Sequence, residues 1–139
     1  MDTIDHDILL MRLITTLGVT DLALQWLRAY ITDRFMIFTV NDITSEPKRL
    51  DFGVPQGSVL GPLLFVLYTH PLSEIVFGSG LDLHKVSDDT QLFTSAPPAN
   101  FHLISKQTER CVDRARVWME SNKLQLDEEK TEATVVGGR

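Results

Sequence analysis

Asp88 and Asp89 stand side by side in Ser87-Asp88-Asp89-Thr90, between two stretches, 81–86 and 91–94, in which apolar and polar residues alternate. Adjacent like charges repel and aspartate is a poor strand former, so the pair needs solvent or a cation to be stable. Mg²⁺ takes oxygen ligands and is often held by one or two carboxylates together with substrate phosphates. The chemistry on offer is metal-assisted phosphoryl transfer, which in its two-metal form requires at least one further carboxylate from elsewhere. The plain alternative is a solvated turn, because acids are common in turns.

A second segment of interest is Gly53-Val54-Pro55-Gln56-Gly57-Ser58-Val59-Leu60-Gly61-Pro62, with three glycines and two prolines. Such a loop allows a ligand to approach the backbone closely, and the start of a following helix offers N–H groups to an anion. The alternative is a strand-to-helix turn with Ser58 as the cap. Asp2, Asp5, His6 and Asp7 suggest a metal cluster by type. If a helix begins near Asp5, however, these acids more simply complement its N-terminal dipole. Lys106, Arg110 and Arg114 form a basic row at i, i+4 and i+8, but Glu109 and Asp113 interleave with it, which reads as a solvated helix face. His84 and His102 are isolated, and Trp26 and Trp118 fall on apolar helical faces, where core positions are expected. The serine-hydrolase, zinc-protease and P-loop signatures are missing.

The elements that must position these residues follow from periodicity. Ile8, Leu9, Leu13 and Leu17 recur at helical spacing, with Gly18 where a helix C′ residue belongs. Thr20 is placed to cap a second helix carrying Leu24, Leu27 and Ile31. Residues 35–40 and 48–52 read as strands, and 59–76 as one mostly apolar helix buried on most sides. Residues 81–94 form a hairpin with the two acids at its tip. Asn100 caps a long helix with Ile104, Cys111, Ala115 and Trp118 on one face, and 124–126 and 133–136 read as short strands. Helices and hairpins mix without a regular alternation, which predicts an α+β fold: an antiparallel sheet with helices on one face.

The 139 residues suit one domain with a real core. Apolar residues are 43% and charged residues 23%, a globular mixture. The longest apolar run, 59–68, is interrupted by Gly61 and Pro62 and falls short of the roughly 20 residues of a membrane span. No basic leader precedes an apolar run at the N-terminus, and the single cysteine, Cys111, fits a reducing, intracellular compartment. A formal charge of −6 argues against autonomous nucleic-acid binding, which leaves a basic footprint.

The order of the motifs is more specific than any one of them. Asp2-Thr3-Ile4-Asp5-His6-Asp7-Ile8-Leu9-Leu10 comes first, then Val54-Pro55-Gln56-Gly57-Ser58-Val59-Leu60-Gly61-Pro62-Leu63-Leu64-Phe65. Ser87-Asp88-Asp89-Thr90-Gln91-Leu92 follows, and then Asn122-Lys123-Leu124-Gln125-Leu126 with Lys130-Thr131-Glu132. This series resembles the palm of a reverse transcriptase, most closely the non-LTR (LINE-type) retrotransposon class, over essentially the whole chain. The resemblance implies a palm sheet that binds two Mg²⁺ ions and adds deoxynucleotides to a DNA primer on an RNA template. It makes Asp88 a metal-binding catalytic aspartate and Asp89 its neighbour. It places Pro55, Gln56, Gly57 and Ser58 in the loop lining the nucleoside triphosphate and template site, and makes Lys130 a proton donor to the leaving pyrophosphate.

The departures from the family pattern matter as much. The family's first metal-binding aspartate would fall upstream of Met1, and Met1 stands where the family has an aromatic residue beside the incoming sugar. Val86-Ser87 replaces the usual aromatic-Ala before the two acids. Fingers, a first palm strand and a thumb have no counterpart in residues 1–139. These features lead to the expectation of a partial palm, catalytically inactive by itself, with an exposed sheet edge open to self-association and no membrane partner. The rival expectation is a non-catalytic retrotransposon remnant acting as a protein-interaction module through that edge.

Overall fold

The computed structural model describes residues 3–55, 57–86 and 89–137. In chain order, helices α1 (His6–Thr15) and α2 (Asp21–Ile31) come first. Strands β1 (Arg34–Met36), β2 (Thr39–Val40), β3 (Ile43–Thr44) and β4 (Lys48–Leu50) follow. Helices α3 (Leu60–Tyr68) and α4 (His70–Phe77), the hairpin β5 (Asp82–Val86) and β6 (Asp89–Phe93), and helix α5 (Phe101–Ser121) complete the elements. The expected α+β character holds. The antiparallel pairing among the described residues is divided into three two-stranded pieces, β1–β4, β2–β3 and β5–β6.

Helix α1 starts and stops where its sequence dictates. Asp5 is the cap, its Oδ1 accepting the amides of Asp7 and Ile8 at 3.0 Å each. At the other end Gly18, at φ +64°, ends the helix in the left-handed conformation: its amide donates to the Ile14 carbonyl, the bond of an αL cap, and that of Val19 donates to Leu13. Thr20 does not cap α2 through its side chain. Its hydroxyl turns instead to the carboxylate of Asp21.

The single helix expected over 59–76 is two helices, bent by 45° at Thr69. Pro71 causes the break, having no amide to donate and a ring that clashes with the carbonyl one turn back. Thr69 reinforces it by bonding its hydroxyl back to the Phe65 carbonyl at 2.9 Å. Nor is the apolar surface buried on most sides, since Val59 is 94% exposed and Leu63 and Phe77 are also open. No single helix among the described residues is long and apolar enough to cross a membrane; the bent pair α3–α4 reaches that length and hydropathy only jointly.

The strand expected over 35–40 is interrupted after Met36, so that β2 and β3 form a small hairpin nested inside the β1–β4 pair. The strands expected at 124–126 and 133–136 do not form. Leu124 is spent on closing α5, where its amide donates to Met119 while Lys123 takes a positive φ of 59°. Val135 and Val136 lie exposed without a strand to join.

One core unites α1, α2, α3 and the segment after α5. Ile4, Leu9, Leu13, Ile31, Leu64 and Tyr68 are at its centre, and Leu124 closes one side. A second cluster joins α4, α5 and the hairpin through Val76, Leu81 and Cys111, with Leu83 and Leu92 against it. Trp118 packs on the first core as expected, whereas Trp26 is 57% exposed and stacks on Tyr30 one helical turn away. Most of α2 faces outward, so a tryptophan on its apolar stripe finds only a neighbour on its own helix.

Candidate functional site

The hairpin register pairs Val86 with Asp89, Lys85 with Thr90, His84 with Gln91 and Leu83 with Leu92. Alternation then places Asp89 on the same face as Val86, His84 and Gln91, the exposed one. Leu83 and Lys85 point the other way, toward the helices. Asp89 is therefore the first residue of a strand. Asp88, like Gln56 and Asp2, lies outside the described residues. Asp89 is exposed, and its side chain has no hydrogen bond or ion pair among the described residues.

Lys85 ties the hairpin to the helical layer. Its Nζ donates to the Thr69 carbonyl at 3.2 Å and also contacts Thr69 Oγ1, where α3 gives way to α4. A cation suits this place, because carbonyls at a helix C-terminus are short of donors. Burial of the ammonium lowers its pKa to about 8.

The Gly53–Ser58 loop is sewn to the N-terminal segment. Asp5 bridges Phe52, the Gly53 amide donates to the Ile4 carbonyl at 2.8 Å, and His6 Nε2 donates to the Gly53 carbonyl at 2.7 Å. The acceptor is a carbonyl, so His6 must carry its proton on Nε2. This is why His6 is buried: Asp5 caps α1 and His6 anchors the loop. Gly57 takes φ +73° with open space around it. Ser58 Oγ donates to the Pro55 carbonyl at 2.7 Å and accepts the Gly61 amide at 3.0 Å, so it serves as the cap of α3. Pro55 is half-buried beneath this turn.

Lys130 is in a short 3₁₀ turn, Glu128–Lys130, and is exposed. Its partner there is Asp127, 3.4 Å away, and no contact among the described residues brings it to Asp89. No three His, Cys, Asp or Glu side chains among the described residues converge to hold a metal ion. Asp89 alone does not fit the coordination Mg²⁺ demands.

The sequence reading missed Arg12. It is buried on α1, with its guanidinium over the rings of Tyr68 at 4.7 Å and Trp118 at 5.1 Å, and its Nη2 donates to Asn122 Oδ1. Tyr68 Oη donates to the Asn122 carbonyl at 2.5 Å. Burial pulls the Arg12 pKa down and pushes the Tyr68 phenol up. The available signal was spacing: Arg12 follows Leu9 by three residues, on the stripe that faces the core.

The family of reverse transcriptases (RNA-dependent DNA polymerases) matches residues 2–137, and the chain belongs to it. Among relatives, it is similar to a probable RNA-directed DNA polymerase from transposon BS of Drosophila melanogaster, 46% identical over 46 residues. That stretch is 33% of this chain and 5% of the relative. A probable RNA-directed DNA polymerase from the transposon X-element of the same fly is 40% identical over 48 residues, 34% of this chain and 5% of that relative. With the motif order above, the match identifies the chain as reverse transcriptase sequence of the non-LTR class.

Proposed function

We propose that residues 1–139 form part of the palm of an RNA-directed DNA polymerase, one that joins deoxynucleotides to a DNA primer on an RNA template. The hairpin would present Asp88 and Asp89 to Mg²⁺ and to the triphosphate. Residues Pro55, Gln56, Gly57 and Ser58 would line the nucleotide and template site, and Lys130 would donate the proton to pyrophosphate after release from Asp127. The observation that carries this reading is Asp89. It is an exposed acid fixed at the start of a strand, with no partner among the described residues and a half-buried cation on the opposite face of the hairpin. An acid held rigid but uncompensated is suited to a ligand that brings positive charge.

The chain by itself is proposed to be catalytically silent, because a two-metal arrangement requires at least one carboxylate beyond the hairpin pair, and among the described residues no three His, Cys, Asp or Glu side chains converge to hold a metal ion. The test is primer extension by the 139-residue protein with Mg²⁺ or Mn²⁺. No product is expected, and template-dependent product that disappears in Asp88→Asn would overturn the inactivity. In a longer polymerase containing these residues, Asp88→Asn and Asp89→Asn should each abolish extension; unchanged extension would overturn the assignment of the hairpin.

A second reading has its own observation. Among the described residues β5 and β6 pair only with each other, and Val86 and Phe93 are exposed on the outer face. Unpaired edges of this kind recruit strands, from a partner or another copy. A monomer at high concentration with no captured partner would count against an interaction module.

A further inference from the structure

The turn at Ser79 and Gly80, between α4 and β5, lies beside α5. Between them is a cleft of about 360 Å³ lined by Ser79, Leu103, Lys106, Gln107, Arg110 and Arg114. Its lining holds three cations and no carboxylate, in a chain whose formal charge is −6. Lys106, Arg110 and Arg114 succeed one another at four-residue steps, so the row advances about 6 Å per cation along the helix. Glu109 and Asp113, which interleave with them in sequence, do not line the cleft. Neither Lys106 nor Arg110 makes an ion pair among the described residues.

The walls are held together by specific bonds. Gln107 Nε2 donates to the Ser79 carbonyl, and Arg114 Nη1 donates to Ser79 Oγ at 3.1 Å. Gly80, at φ +70°, permits the close approach, since a Cβ there would stand 2.8 Å from Gln107 Nε2. The cleft adjoins the open end of the hairpin, where Asp82 pairs with Phe93. The Val86–Asp89 end is a strand's length away, about 14 Å.

We propose that this cleft is a nucleic-acid contact separate from the hairpin site, taking the phosphate backbone of a single strand. Arginine and lysine, with serine and glutamine beside them, are the side chains that position phosphates. A row of cations at constant spacing on a rigid helix suits a ligand that is itself regularly charged. This contact does not depend on the hairpin acids, so it persists whether or not the polymerase reading is right.

The test is fluorescence anisotropy of the 139-residue protein with a labelled single-stranded RNA, from about 50 to 200 mM salt. Each phosphate neutralised on a single strand contributes about 0.7 to the log–log salt slope, so three contacts predict an affinity loss of about twenty-fold over that range. The double variant Lys106→Gln/Arg110→Gln should bind more weakly throughout and lose only about three-fold. Arg28→Gln, on α2, should behave as the parent, and thermal melts should superimpose for all variants. No RNA binding, binding unaffected by the double variant, or equal binding of a poly-glutamate peptide would each overturn the proposal. The last would point to an acidic protein partner.

Discussion

Lys85 offers a direct measurement of how the hairpin is held. Its ammonium is half-buried against Thr69, and burial alone lowers its pKa from 10.5 to about 8. A basic group whose pKa falls on folding is held less tightly by the native state. Between about pH 8 and 10.5 the unfolded chain therefore binds more protons than the folded one, and stability must rise with pH across that window. Taken at face value, the shift gives a gain of about 2 kcal/mol between pH 7 and 9.5. The side chain keeps substantial contact with solvent, so we halve this to about 1 kcal/mol for screening.

The assay is urea denaturation of the parent and of Lys85→Met at several values from pH 7 to about 9.5. Methionine fills a similar volume without charge, and the Thr69 carbonyl still accepts the Leu72 amide at 3.1 Å. The variant should thus fold with near-parental stability at pH 7. The difference between the two curves should then shift by about 1 kcal/mol in favour of the parent as pH rises. Measurements stop there because Tyr68 works the other way. Burial pushes its phenol up, so above about pH 10 the unfolded chain ionises first and stability falls. Parallel curves for parent and variant would refute a buried ammonium and, with it, the tether of the hairpin to the α3–α4 break.

Two further outcomes test the supports of the site. Asp5→Ala removes a side chain that accepts two amides, and should cost about 1 kcal/mol in chemical denaturation while Asp5→Asn costs far less; equal losses would place the effect in charge rather than capping. Tyr68→Phe keeps the ring beneath Arg12 but removes the donor to the Asn122 carbonyl, for an expected loss of about 1–1.5 kcal/mol; an unchanged midpoint would show that bond contributes nothing.

What the sequence disclosed was what local physics controls. The Gly18 stop, the Asp5 start and the alternation around Asp88-Asp89 each rest on a few adjacent residues, and each element appeared. Local reading failed where a residue's role is set at long range. The break at Thr69 was signalled by Pro71, but the apolar run concealed it. Leu124 looks like a strand residue and is used to close α5. His6 looks like a ligand and binds a carbonyl 47 residues away. Arg12 looks like a surface cation and bonds to Asn122, 110 residues on. Spacing reports which face a residue occupies, and not what waits on the other side.

Those long-range bonds share a pattern. His6 fixes the glycine-rich loop to α1, Lys85 fixes the acidic hairpin to the α3–α4 break, and Arg12 with Tyr68 fixes the segment after α5 to both helices. Each motif that carries the family resemblance is attached to the helical core by a polar group placed outside the motif's chemical residues. Hydrophobic contact alone would not set the orientation of these segments, because it is non-directional, whereas a hydrogen bond to one carbonyl demands distance and angle. The proposed site, in which an acid, a loop backbone and a cation would meet one ligand, would require orientation more than bulk stability. The cost of a desolvated lysine and a buried arginine is therefore intelligible: these cations hold the motif segments at fixed angles to the core, a task that apolar residues of similar volume could not perform.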